Sequence, residues 1–252
     1  MSKKPLILVT NDDGIHAKGL FFLSQIAKDF GEVVVVAPDK PQSGMGHAVT
    51  MHTPLWLKEE KIDGVSAYST SGTPVDCVKL AVYQIMHRKP DLILSGVNHG
   101  ANSSINVIYS GTMSAAVEGA VEGIPSLGFS LLNHSEDADF SHSEPYLRKI
   151  IENVIENTMP YGACLNVNIP KNRVKGIKVC RQAKGYWEDY FEKRSDPQGN
   201  DYYWMKGDFI VTEKGEDTDL WALDHGFISI VPTQFDMTAH HAIANLNTWN
   251  FD

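Results

Sequence analysis

The chain has 252 residues, enough for one large α/β domain, and its 22 Lys and Arg against 31 Asp and Glu leave a formal charge of −9. That acidity argues against stable nucleic-acid binding and requires any phosphate-bearing ligand to be met by a cation or by backbone N–H groups. The three cysteines Cys77, Cys164 and Cys180 are widely spaced and form no CxxC pair, which excludes a disulfide framework and a zinc knuckle and points to buried thiols in a reducing compartment.

The basic amino terminus Met1-Ser2-Lys3-Lys4-Pro5 precedes an apolar run too short for a signal peptide. No stretch is long enough to span a membrane, so no membrane partner is expected and the cytoplasm is the expected location. Leu6 to Val9 is an unbroken aliphatic run, the pattern of a central parallel strand covered on both faces. It empties into Thr10-Asn11-Asp12-Asp13-Gly14, at the strand end where open α/β sheets bind ligands. Taken alone, this segment fits an ordinary polar turn as well as it fits an ion or phosphate site.

A helix is expected over Leu20, Phe21, Leu23, Ile26 and Ala27, stopped at Gly31, and Val33 to Val36 is a second aliphatic strand running into the loop Lys40 to His47. From Val49 to Thr70 apolar and polar residues alternate around turns such as Asp63-Gly64, which predicts an antiparallel excursion. Ser71-Gly72-Thr73-Pro74 opens a helix through Met86, and Asp91 to Asn98 reads as a third buried strand. Ser110-Gly111-Thr112 begins a further helix through Val121, Gly123 to Ser130 a fourth strand, and Tyr146 to Thr158 another helix. Leu165 to Pro170 and Ile177 to Cys180 look like late strands, whereas Gly185 to Gly207 is aromatic and charged and reads as an extension. Aromatics of that kind suit a partner subunit or a hairpin folded back on its own core.

The expected architecture is an α/β, Rossmann-like three-layer sandwich with a mostly parallel sheet and an extended C-terminal arm or hairpin. The core would occupy about 1–182 and the arm about 183–252 of a single domain. Strand ends then offer Asp12 and Asp13 after the first strand, Ser43 after the second and Asn98 after the third. Each of Ser43 and Asn98 alone reads as a loop-capping group, but together with two carboxylates they suit a hard divalent ion such as Mg²⁺ or Mn²⁺. Zinc would call for His or Cys at ligand spacing, which is absent. At Ser110-Gly111-Thr112 the free N–H groups of a helix N-terminus could hold a phosphate, although Ser and Thr are also ordinary caps. The histidines read as structural or surface groups; His99, beside Asn98, could also contact a phosphate or donate a proton.

Val9 to Gly14, Ser43-Gly44, Ser71 to Cys77, Ser95 to Gly100 and Tyr109 to Thr112 resemble the successive motifs of the SurE family, the survival-protein nucleotidases. The resemblance runs closely from about Leu6 to Phe129 and returns over Asp217 to Thr238. Ala101 to Ile108 departs from the more usual family spelling, which has Gly and acidic residues before the tyrosine, and this bears on loop contacts and substrate preference.

The resemblance implies a metal-dependent phosphatase of nucleoside monophosphates, a 5′-nucleotidase with 3′-nucleotidase and exopolyphosphatase activity as further expectations. It implies Asp12, Asp13, Ser43 and Asn98 as ligands of one divalent ion per subunit. It also implies an oligomer built through the C-terminal arm, a homodimer or homotetramer. The expected chemistry is in-line attack of a metal-activated water at Asp12 and Asp13, with Asn98, Ser110, Gly111 and Thr112 on the phosphate. A covalent aspartyl-phosphate competes, but carboxylates committed to an ion are poor nucleophiles. Among other classes, a receiver domain would need a phosphoacceptor Asp after the third strand, and a noncatalytic nucleotide-binding module would bind without turnover.

Overall fold

The computed structural model describes residues 4–62, 64–135 and 137–251; the basic tripeptide Met1 to Lys3 and Asp63 of the expected Asp63-Gly64 turn lie outside the described residues. The elements follow in the order β1 (Leu6–Thr10), α1 (Lys18–Ala27), β2 (Glu32–Pro38), β3 (Leu57–Ile62), β4 (Val65–Thr70), α2 (Pro74–Leu80), β5 (Leu92–His99) and α3 (Gly111–Val121). They continue with β6 (Ser126–Leu131), α4 (Glu144–Glu156), β7 (Ala163–Ile169), β8 (Gly176–Val179), β9 (Gly185–Ser195), β10 (Asp201–Val211), α5 (Asp219–Asp224), β11 (Phe227–Gln234) and α6 (His240–Leu246).

One nine-stranded sheet runs β3-β4-β2-β1-β5-β6-β7-β11-β8. Pairing is parallel from β4 through β2, β1, β5 and β6 to β7. Because successive strand residues face opposite sides, the aliphatic runs divide between two helical layers. Ile7, Val9, Val33 and Val35 pack with Leu20, Leu23 and Ile26 of α1 and Leu147, Ile150 and Ile151 of α4. Leu6, Leu8, Val34 and Val36 pack instead with Cys77 and Val78 of α2 and Ala115 of α3. The fold is the mostly parallel three-layer α/β sandwich that the runs require.

Local chemistry sets the helix starts. Thr73 caps α2, its hydroxyl accepting from Asp76 N–H while the Asp76 side chain returns to the Thr73 N–H, and Pro74 sits in the first turn. Beyond Leu80 the expected helix continues as a single wide π turn over Ala81–Ile85. The excursion after β2 starts later than the alternation suggests, since residues 45 to 56 form no regular element. It consists of one antiparallel pair, β3 with β4, of which β4 also joins the parallel sheet.

The aromatic extension is a separate two-stranded hairpin, β9 paired antiparallel with β10 from Gly185↔Val211 to Ser195↔Asp201. The chain beyond about 183 is not all arm, however. β11 returns to the main sheet, antiparallel to β7 and parallel to β8, and α5 packs on it through Ala222. A boundary near 182 therefore separates the hairpin from the core only as far as Val211. No helix among the described residues is long and apolar enough to cross a membrane.

Candidate active site

β1 delivers its polar end through a closed turn. The Asn11 side chain donates from Nδ2 to Gly14 O at 3.0 Å and accepts from Gly14 N–H at 3.2 Å, while Gly14 takes φ +98°. The chain thus leaves strand geometry, and Asp12 turns inward to 4% exposure. Its Oδ1 accepts the hydroxyl of Thr112 at 2.5 Å, in the first turn of α3. Asp13 Oδ2 accepts from the backbone N–H of His99 at 3.3 Å, at the end of β5 beside Asn98.

The neighbouring loops close on the same point. Asp12 O accepts from Gln42 N–H at 2.8 Å, which fixes the residue before Ser43 against the end of β1. Ser43 itself is exposed and its hydroxyl is unpartnered among the described residues. Asn98 is buried, and its Nδ2 donates to Gly100 O at 2.8 Å, so its Oδ1 is the atom left for a ligand. Ser110 caps α3 by accepting from Met113 N–H at 3.0 Å, which leaves its hydroxyl proton free to donate.

Asp12 and Asp13 are ill-matched to this environment as bare anions. Burial pushes the Asp12 carboxyl up to about 6, opposed by the Thr112 hydroxyl and reinforced by the charge of Asp13. Burial also raises Asp13, opposed by the His99 N–H and then by the His99 ring. Neither forms an ion pair among the described residues. Two adjacent, desolvated carboxylates without a cation are costly unless a positive charge is supplied.

Among the described residues no group of three or more His, Cys, Asp and Glu is gathered for a metal. An ion at this point would therefore complete its shell with the neutral oxygens of Asn98 and Ser43, with water or with substrate. That donor set fits a hard, oxygen-preferring cation.

The structure brings Asp12 and Thr112 into direct contact and sets Asp13, Asn98 and the Ser43 loop around them. Thr112 is the residue whose place differs most from expectation, since its hydroxyl is spent on Asp12. Gln42, Gly46 and Tyr109 join the site through backbone bonds that no side-chain pattern announces; Gly46 N–H donates to Tyr109 O at 3.2 Å.

Fold and site together define an α/β protein with two adjacent carboxylates, a buried amide and a helix N-terminus gathered at the carboxyl edge of its sheet. Residues 7–189 match the family model described as "Survival protein SurE". Proteins named "5'-nucleotidase SurE" from Flavobacterium psychrophilum and Christiangramia forsetii are 59% and 56% identical to this chain, with 99% of this chain and 99% and 98% of each relative covered. The solved structure titled "Crystal Structure of Sure Protein from Aquifex aeolicus" superposes with a TM-score of 0.83 at 38% identity, covering 97% of this chain and 99% of that one. The chain belongs to the SurE family.

Proposed function

We propose that this protein is a metal-dependent 5′-nucleotidase that hydrolyses nucleoside monophosphates to nucleoside and inorganic phosphate. The observation that carries this reading is the pair of adjacent carboxylates, Asp12 and Asp13, desolvated and without an ion pair among the described residues, with Asp12 against the N-terminus of α3. The names and near-complete coverage of the relatives support it.

Asp12, Asp13, the Asn98 Oδ1 and the Ser43 hydroxyl would hold one divalent ion per subunit, Mg²⁺ or Mn²⁺. Such an ion, when bound, supplies Lewis acidity toward the phosphoryl group and toward water. The chain's own part is placement. The Ser110 hydroxyl and the N–H groups entering α3 hold nonbridging phosphoryl oxygens where charge develops, aided by the helix dipole. Thr112 orients Asp12 rather than the phosphate, and His99 orients Asp13 through its backbone.

The exposed Tyr190, Phe191, Tyr203, Trp204 and Met205 of β9 and β10 support a homodimer or homotetramer assembled through this hairpin. The free, buried cysteines are in keeping with a reducing, cytoplasmic compartment.

Phosphate release from a panel of nucleoside 5′- and 3′-monophosphates and polyphosphate, with Mg²⁺, Mn²⁺ or Zn²⁺ and with a chelator, tests the reading. Turnover of a 5′-monophosphate that stops in chelator and returns with Mg²⁺ or Mn²⁺ is expected. Undiminished hydrolysis in chelator would exclude a required ion.

A further inference from the structure

Ser43 lies in a long connection between β2 and β3 that has no regular structure over residues 45 to 56, and Ser43, Gly44 and Met45 are exposed. A ligand on such a segment is useful only if the backbone on either side is pinned. On one side Gln42 N–H is bonded to Asp12 O. On the other, Gly46 N–H is bonded to Tyr109 O, and the next residue, His47, reaches into the helical layer, where its Nε2 lies 2.8 Å from Glu118 Oε2.

Glu118 stands two turns into α3, the same helix whose N-terminus faces Asp12. It is 3% exposed, a burial that a carboxylate tolerates only when paired. Lys79, at the end of α2, pairs with Oε1. Among the described residues Oε2 is therefore left with His47 as its partner, and loss of that partner would leave a buried oxygen unsatisfied. The arrangement links two parts of the candidate site, the Ser43 loop through His47 and α3 through Glu118, and ties them to α2 through Lys79.

We infer that the His47–Glu118 pair is a positioning device that fixes the loop carrying Ser43 to α3, so that Ser43 meets the ion held by Asp12 and Asp13. This rests on the ion site proposed above. Neither His47 nor Glu118 touches the ion; both act through the backbone of residues 43 to 46. Partners that orient a ligand from outside its shell typically change metal affinity about 10–100-fold when removed.

The test is direct Mn²⁺ binding to the metal-free protein, followed by the electron paramagnetic resonance signal of free Mn²⁺, with thermal melting alongside. His47→Ala is expected to raise the Mn²⁺ dissociation constant about 10-fold or more, while the metal-free melting transition stays cooperative because His47 is a partly exposed loop residue. His47→Gln, which keeps an N–H donor for Glu118, should recover most of the affinity. An unchanged dissociation constant in His47→Ala, or a His47→Gln variant as weak as His47→Ala, overturns the positioning role. Asp12→Asn is the separating control: should it leave Mn²⁺ binding intact, the ion site itself is wrong, whereas its loss of binding beside an unaffected His47→Ala condemns the positioning role alone.

Discussion

Gly111 lies so close to Asp12 that a β-carbon on Gly111 would stand 2.6 Å from Asp12 Cβ and 2.9 Å from its Oδ2. The absence of a side chain there lets the first turn of α3 close on the carboxylate and brings the Thr112 hydroxyl to Oδ1. Backbone conformation is not the reason, since Gly111 is helical; the reason is space.

Gly111→Ala should therefore force Asp12 and the helix terminus apart. Overpacking of this kind costs about 1–3 kcal/mol, and the displaced carboxylate should cost activity beyond the loss of stability. Urea titration together with phosphate release checks both. A variant with wild-type stability and turnover would contradict the close approach.

Asp12→Asn and Asp13→Asn should each abolish phosphate release and weaken Mn²⁺ binding by more than the 10–100-fold range of about one to two decades typical of outer partners. The fold should survive, since each change removes a charge and not a volume. Calorimetric titration of the metal-free variants, with circular dichroism as the fold control, would expose an error if either bound Mn²⁺ as tightly as the parent.

The pH dependence follows from the raised Asp12. With a carboxyl moved from 3.8 to about 6, the folded metal-free protein holds a proton more tightly than the unfolded chain, so stability falls as pH rises through that window. The difference corresponds to about 3 kcal/mol. Asp12→Asn should accordingly stabilise the metal-free protein at pH 8 by up to this amount and bring no gain near pH 3, below both values. Urea titrations at the two pH values measure it, and equal parent and variant stability at pH 8 would refute the burial penalty. Saturating Mn²⁺ should stabilise the parent far more than the variant.

Thr112→Val keeps the shape of the side chain and removes the donor to Asp12 Oδ1. A hydrogen bond to a charged group is worth about 1.5–3 kcal/mol. Mn²⁺ affinity should drop about 10-fold or more, and Thr112→Ser should restore it. If Thr112 instead served only the phosphate, Thr112→Val would raise KM and leave Mn²⁺ binding unchanged.

The central strands were legible because burial on both faces demands aliphatic runs such as Leu6 to Val9 and Val33 to Val36, and their polar exits mark one edge of the sheet. The cap at Thr73 with Pro74 and the entry at Ser110 were legible for a similarly local reason: caps act within four residues. The destination of the C-terminal third was less open to reading. The aromatic pattern of Gly185 to Gly207 marks an extension, but nothing nearby says that Phe227–Gln234 slots between β7 and β8, since that pairing depends on residues about sixty positions away.

The sequence by itself determined the central strands, where they end and which ligand types stand at those ends, because periodicity, capping and turn chemistry are short-range. Only the tertiary structure decided how those groups are used. Thr112 meets Asp12 across 100 residues and His47 meets Glu118 across 71, and whether a hydroxyl serves a carboxylate or a phosphate depends on where packed layers bring it. Packing is set by the summed burial of both faces of the sheet, and no local spacing carries that information.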